Sequence, residues 1–168
     1  MLVCRLANRL WTATGLAATR RFQRALREPR QAQLRCLQRL LERNRTSDYG
    51  RRHDFARCRT VQEYQAAVPL IRYEELLTEI ERIRHGEPGV LTTEPVLAFE
   101  RSGGSTAPAK YIPHTRSLKQ EFGAAIAPWM ADLHGACPGV RHGPAYWSVS
   151  PLSAEPEQTP DGIPVGFE

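Results

Sequence analysis

The chain has 168 residues, enough to bury one sizeable core, and its 41% hydrophobic and 24% charged residues are those of a globular protein. No uninterrupted apolar run nears the ~20 residues that cross a bilayer, so the sequence excludes a membrane-spanning helix and points to a soluble, cytoplasmic protein. The net charge of +5 is unevenly placed: residues 1–60 hold 15 Arg, no Lys and 4 acids, net +11, whereas residues 61–168 hold 8 bases and 14 acids, net −6.

Residues 1–28 read as a basic N-terminal helix or tail. Arg5, Arg9, Arg20, Arg21, Arg24 and Arg27 precede the first acid, a composition shared with mitochondrial targeting peptides. Such a basic surface also suits nucleic acid or an anionic membrane. The favoured reading is an amphipathic helix lying against the rest of the protein through Leu6, Leu10, Phe22, Ala25 and Leu26. No aromatic interleaving or base-reading motif accompanies the arginines, so no nucleic-acid partner is expected. Pro29 suits the first turn of a helix reaching about Arg43, with Leu34, Leu37, Leu40 and Leu41 on one face and Asn44 as its stop. Thr60-Val61-Gln62-Glu63 forms a capping box that opens a short helix closed by Pro69. Leu76, Leu77, Ile80 and Ile83 recur at helical spacing, and Gly86 ends that helix.

The second half changes character. Pro95 to Glu100 reads as a strand and Lys110 to Pro113 as a second extended piece. The longest helix is expected next, from Thr115 or Ser117 to Leu133, with Leu118, Phe122, Ala125, Ile126, Trp129, Met130 and Leu133 on one broad face and a capping box at Ser117. Pro128 within it predicts a kink near residue 124. Cys137-Pro138-Gly139 ends that helix, Ala145 to Ser150 reads as a strand, and Pro151 to Pro164 reads as loop. The order of elements, N-terminal helices and then strand-loop-strand-helix-strand, predicts an α/β fold, with α+β as the alternative. Cys4, Cys36, Cys58 and Cys137 are widely spaced, as in a reducing compartment. His134, Cys137 and His142 lack a fourth ligand at suitable spacing, so no metal site is expected.

Chemistry concentrates between the two strands. Ser102, Gly103, Gly104, Ser105, Thr106 and, at the far end, Lys110 make a loop of small hydroxyl residues and glycines closed by a cation. Glycines let main-chain N–H groups approach an anion, hydroxyls add donors and a lysine adds a point charge, which is how a backbone grips a nucleotide phosphate. The loop lacks the Gly-Lys-Ser/Thr ending of common ATPases. It also has no Gly-x-Ser-x-Gly, which leaves a hydrolase without a motif.

These residues resemble the auxin-responsive Gretchen Hagen family of acyl-acid amido synthetases, a branch of the adenylate-forming enzymes. The loop is similar to that family's Ser-Ser-Gly-Thr/Ser-Ser/Thr-Gly-x-x-Lys. Thr46-Ser47-Asp48-Tyr49-Gly50-Arg51 with Phe55 looks like its Thr-x-x-Tyr-Gly-Arg-x-x-x-Phe. Val68-Pro69-Leu70, Tyr73-Glu74, Ile80-Glu81-Arg82-Ile83, Gly86-Glu87 and Val90-Leu91-Thr92 follow in the family's order, and Ile112-Pro113-His114-Thr115, Ser148-Val149-Ser150-Pro151 and Gly162-Ile163-Pro164-Val165-Gly166 continue it. Gly103 stands where the family has Ser, and Ala107 where it has Gly, which implies a looser cradle.

The resemblance implies that residues 29–168 are a partial adenylate-forming N-terminal domain, truncated at its C-terminus and inactive alone. It implies ATP and Mg2+ as cofactors, and a small carboxylic acid and an amino acid as partners of the complete enzyme. Ser102, Gly103, Gly104, Ser105, Thr106 and Lys110 would hold the β- and γ-phosphates, and His114, Thr115 and Trp129 would approach the acyl pocket; no catalytic residue is assigned within the chain. The alternatives are a non-catalytic interaction module and a basic nucleic-acid- or membrane-binding protein.

Overall fold

The computed structural model describes residues 2–102, 109–144 and 157–166, which fall into two units. One unit comprises Met1–Gln31 and Ser117–Val149, the other Ala32–Arg116 and Ser150–Glu168.

The first unit is helical. Helix α1 (Leu2–Ala25) and helix α6 (Arg116–Ala136) are its long elements, and a 3-10 turn at Pro138–His142 follows. At 24 residues α1 exceeds the 21 of α6, so the longest helix is the first and not the one after the second strand. The expected contact face of α1 is also reversed. Leu6, Leu10, Phe22 and Leu26 are exposed, and the packed side carries small and polar residues. Asn8 donates to the carbonyls of Arg141 (3.0 Å) and Gly143 (3.2 Å). Thr12 Oγ1 lies 2.8 Å from His134 Nδ1. A Cβ added to Gly15 would come 3.1 Å from that of Ala127, so glycine here allows a close approach between helices. In α6 the expected stripe is mostly not buried: Met130 is inside, whereas Leu118, Phe122 and Trp129 are exposed. The helix starts at Arg116, which puts Ser117 inside the first turn and not at the cap.

The second unit begins with most of helix α2 (Pro29–Asn44), where Pro29 opens the helix and Leu41 is buried. Helix α3 (Asp48–Arg52) follows a tight corner, and its first N–H groups find partners at once: Ser47 Oγ accepts from Gly50 N–H (3.0 Å), while Asp48 and Tyr49 donate to the Gly89 and Val90 carbonyls at 2.7 and 3.0 Å. Helix α4 (Val61–Ala67) carries the expected capping box. Thr60 Oγ1 accepts from Glu63 N–H at 3.2 Å, and the Glu63 carboxylate accepts from Thr60 N–H at 2.9 Å. Thr60→Ala should lower stability by about 1 kcal/mol in urea unfolding and Thr60→Ser should restore most of it; a neutral alanine would show that tertiary contacts alone hold α4.

A 3-10 turn at Tyr73–Leu76 leads into helix α5 (Leu77–Arg84), and Gly86 ends it with φ +83°, where an L side chain is strained. Ile80 and Ile83 of α5 form the core with Val90, Phe99 and Val165; Leu76 packs against it, but Leu77 faces solvent. Arg82 bridges Asp48 and Glu87 and holds both carboxyls below their ordinary range. Because those folded-state values are depressed, the bridge adds stability above the ordinary carboxylate range and loses it as pH falls through them.

The sheet is mixed, with strands β1 (Val96–Ser102), β2 (Lys110–Thr115), β3 (Glu157–Gln158) and β4 (Pro164–Val165) in the order β2-β1-β4-β3. β1 pairs antiparallel with β2 and parallel with β4. The expected loop over Pro151–Pro164 is corrected within residues 157–166: β3 and β4 form a small antiparallel ribbon. Its turn is tied by Thr159, which receives the N–H of Gly162 on its carbonyl (2.9 Å) and that of Ile163 on Oγ1 (3.0 Å). Proline at position 164 is tolerated because it is the first residue of its strand. The strand expected at Ala145–Ser150 lies outside the described residues. Helices and a mixed sheet make this an α/β chain, as the order of elements predicted.

Candidate functional site

The candidate loop hangs from the β1–β2 pair. Apolar Ala98 and Phe99 bury the middle of β1, and the register then runs outward through Arg101↔Tyr111 to Ser102↔Lys110. Ser102 and Lys110 are thus register partners at the mouth of the connection, where the sequence put the two ends of the loop. Gly103, Gly104, Ser105 and Thr106 lie outside the described residues.

Lys110 does not project freely. Its Nζ lies 3.3 Å from Glu74 Oε1 and 5.1 Å from the centroid of the Tyr73 ring. Water reaches both charges, with the Lys110 side chain 39% and that of Glu74 60% exposed, so the pair is screened and exchangeable. The Glu74 carboxyl is held below its ordinary range by its own backbone N–H and by Lys110. Beside it, the Tyr73 hydroxyl accepts from Tyr111 N–H (2.8 Å) and donates to the Tyr111 carbonyl (3.4 Å). Among the described residues β2 lies at the edge of the sheet. Its outward backbone groups need partners, and the tyrosine supplies one just past the lysine.

The stem is tied on its other side as well. The Arg84 guanidinium sits 4.2 Å from the Tyr111 ring centroid, Tyr111 donates its hydroxyl to Glu157 Oε1 (2.9 Å), and Arg101 reaches Glu157 Oε2 at 2.8 Å. Burial and the Glu157 carboxylate push the Tyr111 phenol up. Three sequence-distant segments therefore fix the strands that hold the loop. Of the residues expected near an acyl pocket, His114 is half-buried on β2 with Nε2 3.2 Å from Glu100 Oε2, Thr115 ends β2, and Trp129 is exposed on α6.

His134 is buried and bonded to Thr12, whereas Cys137 is exposed; among the described residues no group of three or more His, Cys, Asp or Glu is placed to hold a metal. Nor is any described helix long and apolar enough to cross a membrane. Sequence reasoning gave Tyr73 and Glu74 no role. They lie nearly 40 positions before their partners, and their only signal was a place in the matched order of segments.

Residues 18–167 match the GH3 family N-terminal domain. A probable indole-3-acetic acid-amido synthetase GH3.2 of Oryza sativa subsp. japonica is 36% identical over 134 residues, 79% of this chain and 22% of that one. The GH3.15 acyl acid amido synthetase shares the fold with a TM-score of 0.64 at 23% identity, over 77% of this chain and 23% of that one. The structure of AtGH3.15 acyl acid amido synthetase in complex with 2,4-DB matches with a TM-score of 0.61 at 26% identity, over 77% and 22%. The chain spans about a fifth of the length of the curated relatives it matches.

Proposed function

The chain is a member of the GH3 family, and on that premise we propose that it supplies the phosphate-gripping part of an ATP-dependent acyl-acid amido synthetase. In that reaction a carboxylate is joined to AMP with release of pyrophosphate, and the amine of an amino acid then displaces AMP to give an amide. Ser102, Gly103, Gly104, Ser105 and Thr106 hold the β- and γ-phosphates through N–H and hydroxyl donors, and Lys110 offsets their charge. Mg2+ arrives with the nucleotide.

The observation that carries this reading is the hairpin itself. A Gly/Ser/Thr segment connects Ser102 to Lys110, and the sheet fixes both ends so that the donors and the ammonium start from a rigid base. Preorganised donors grip an anion best where water is excluded. Here Ser102 is exposed and Lys110 half-exposed, so this chain by itself binds MgATP weakly and does not complete adenylation.

Titration of the chain with MgATP tests the site. Lys110→Ala should weaken binding about tenfold, the size of one charge-assisted contact. Equal affinity in the variant would remove the lysine from the site. ATP–pyrophosphate exchange with a panel of carboxylic acids, in protein of the relatives' full length carrying this domain, tests the reaction; exchange that no acid stimulates would overturn it.

A further inference from the structure

We infer that Tyr73 and Glu74 are positioning residues for Lys110: Tyr73 fixes the strand from which the lysine projects, and Glu74 holds its ammonium until a polyphosphate takes its place. This rests on the nucleotide reading of the loop. Both residues come from one rigid source. The 3-10 turn at Tyr73–Leu76 is closed by Glu75, whose carboxylate accepts the Arg72 N–H at 2.7 Å, and Tyr73 and Leu76 pack against the buried core. That turn delivers a ring and a carboxylate to adjacent points on the same lysine, at 5.1 and 3.3 Å.

The two contacts differ in kind. Tyr73 binds the backbone of Tyr111 through both its N–H and its carbonyl, which sets where β2 begins and how Lys110 leaves it. Its ring also offers the ammonium a second, uncharged neighbour. Glu74 binds only the movable end of the side chain, with one charge and in water. A triphosphate presents several charges to the same cation and displaces it. Glu74 thus competes with the nucleotide while Tyr73 assists it, and removing them should shift affinity in opposite directions.

The test is titration of the full chain and its variants with MgATP. Tyr73→Phe, which keeps the ring and loses the hydroxyl, should bind about fivefold more weakly, the effect of one hydrogen bond. Glu74→Gln should bind about threefold more tightly, the size of a screened surface ion pair. In a Lys110→Ala background the gain from Glu74→Gln should vanish. A merely structural role would weaken both variants, and Glu74, being exposed, can change without loss of the fold. If the parent binds MgATP and Glu74→Gln is not tighter, or stays tighter without Lys110, the inference is wrong and the nucleotide reading stands. If the parent binds no MgATP, the nucleotide reading falls and takes the inference with it.

Discussion

Phe99→Ala should cost about 3–5 kcal/mol of unfolding free energy, read as a lower urea midpoint. Phe99 is the point at which the second unit's elements meet. Its side chain is 0% exposed among Ile80 and Ile83 of α5, Val90 of the preceding loop and Val165 of β4. Its ring stands at 83° to that of Tyr111, with centroids 6.2 Å apart. Its backbone pairs with Pro113 on one side and Val165 on the other, and its carbonyl accepts Gly166 N–H at 2.7 Å. Alanine would leave a cavity bounded by elements that cannot all close on it, because each is also pinned by backbone hydrogen bonds. Against a typical stability of about 5–15 kcal/mol that loss is large. It should also lower affinity for MgATP, since Ser102 and Tyr111 are carried by the same pair of strands. A variant with an unchanged urea midpoint would show that this ring does not anchor the sheet.

The second large effect is expected at Gly50. No positive φ is involved; the constraint is space. A Cβ at position 50 would lie 2.0 Å from the carbonyl oxygen of Asn44 and 3.0 Å from Ser47 Oγ. That carbonyl cannot yield easily, because it accepts Ser47 N–H (3.0 Å) and Ser47 Oγ (2.8 Å). The Asn44 side chain meanwhile holds Thr92 Oγ1 and Thr93 N–H at 2.9 and 3.2 Å. Gly50→Ala should therefore cost about 3 kcal/mol or more, at the upper end of overpacking and backbone strain. An alanine variant with the parent's urea midpoint would mean that the corner between α2 and α3 opens without cost. This assigns a structural task to the Thr46–Arg51 signature: it builds a corner, with Ser47 as its cap and the Tyr49 ring tilted at 46° against that of His53, 4.3 Å between centroids.

Local rules were enough to find several elements. The capping box at Thr60, the helix opened by Pro29 and the stop at Gly86 depend on neighbours within about four residues, so short sequence windows contain their cause. The two strands around the loop were legible because the apolar run changes period and a Gly/Ser/Thr stretch interrupts it. The face of α1 was not legible. Its leucines suggested a buried stripe, but Asn8, Thr12 and Gly15 make the close contacts, through hydrogen bonds and a short approach that hydrophobic periodicity does not score. The β3–β4 ribbon was hidden for a related reason: two-residue strands carry no periodicity, and their pairing is decided by β1.

The sequence by itself determined the family, through ordered segments spread along the chain, and with the family the α/β class and the place of the candidate loop. Only the tertiary structure decided what stands beside Lys110. Tyr73 and Glu74 reach it across nearly 40 residues of chain because the 3-10 turn is docked on the core and the Tyr73 hydroxyl bonds the Tyr111 backbone of β2. A contact of that kind is set by where two elements are packed, and no short window of residues contains both of them.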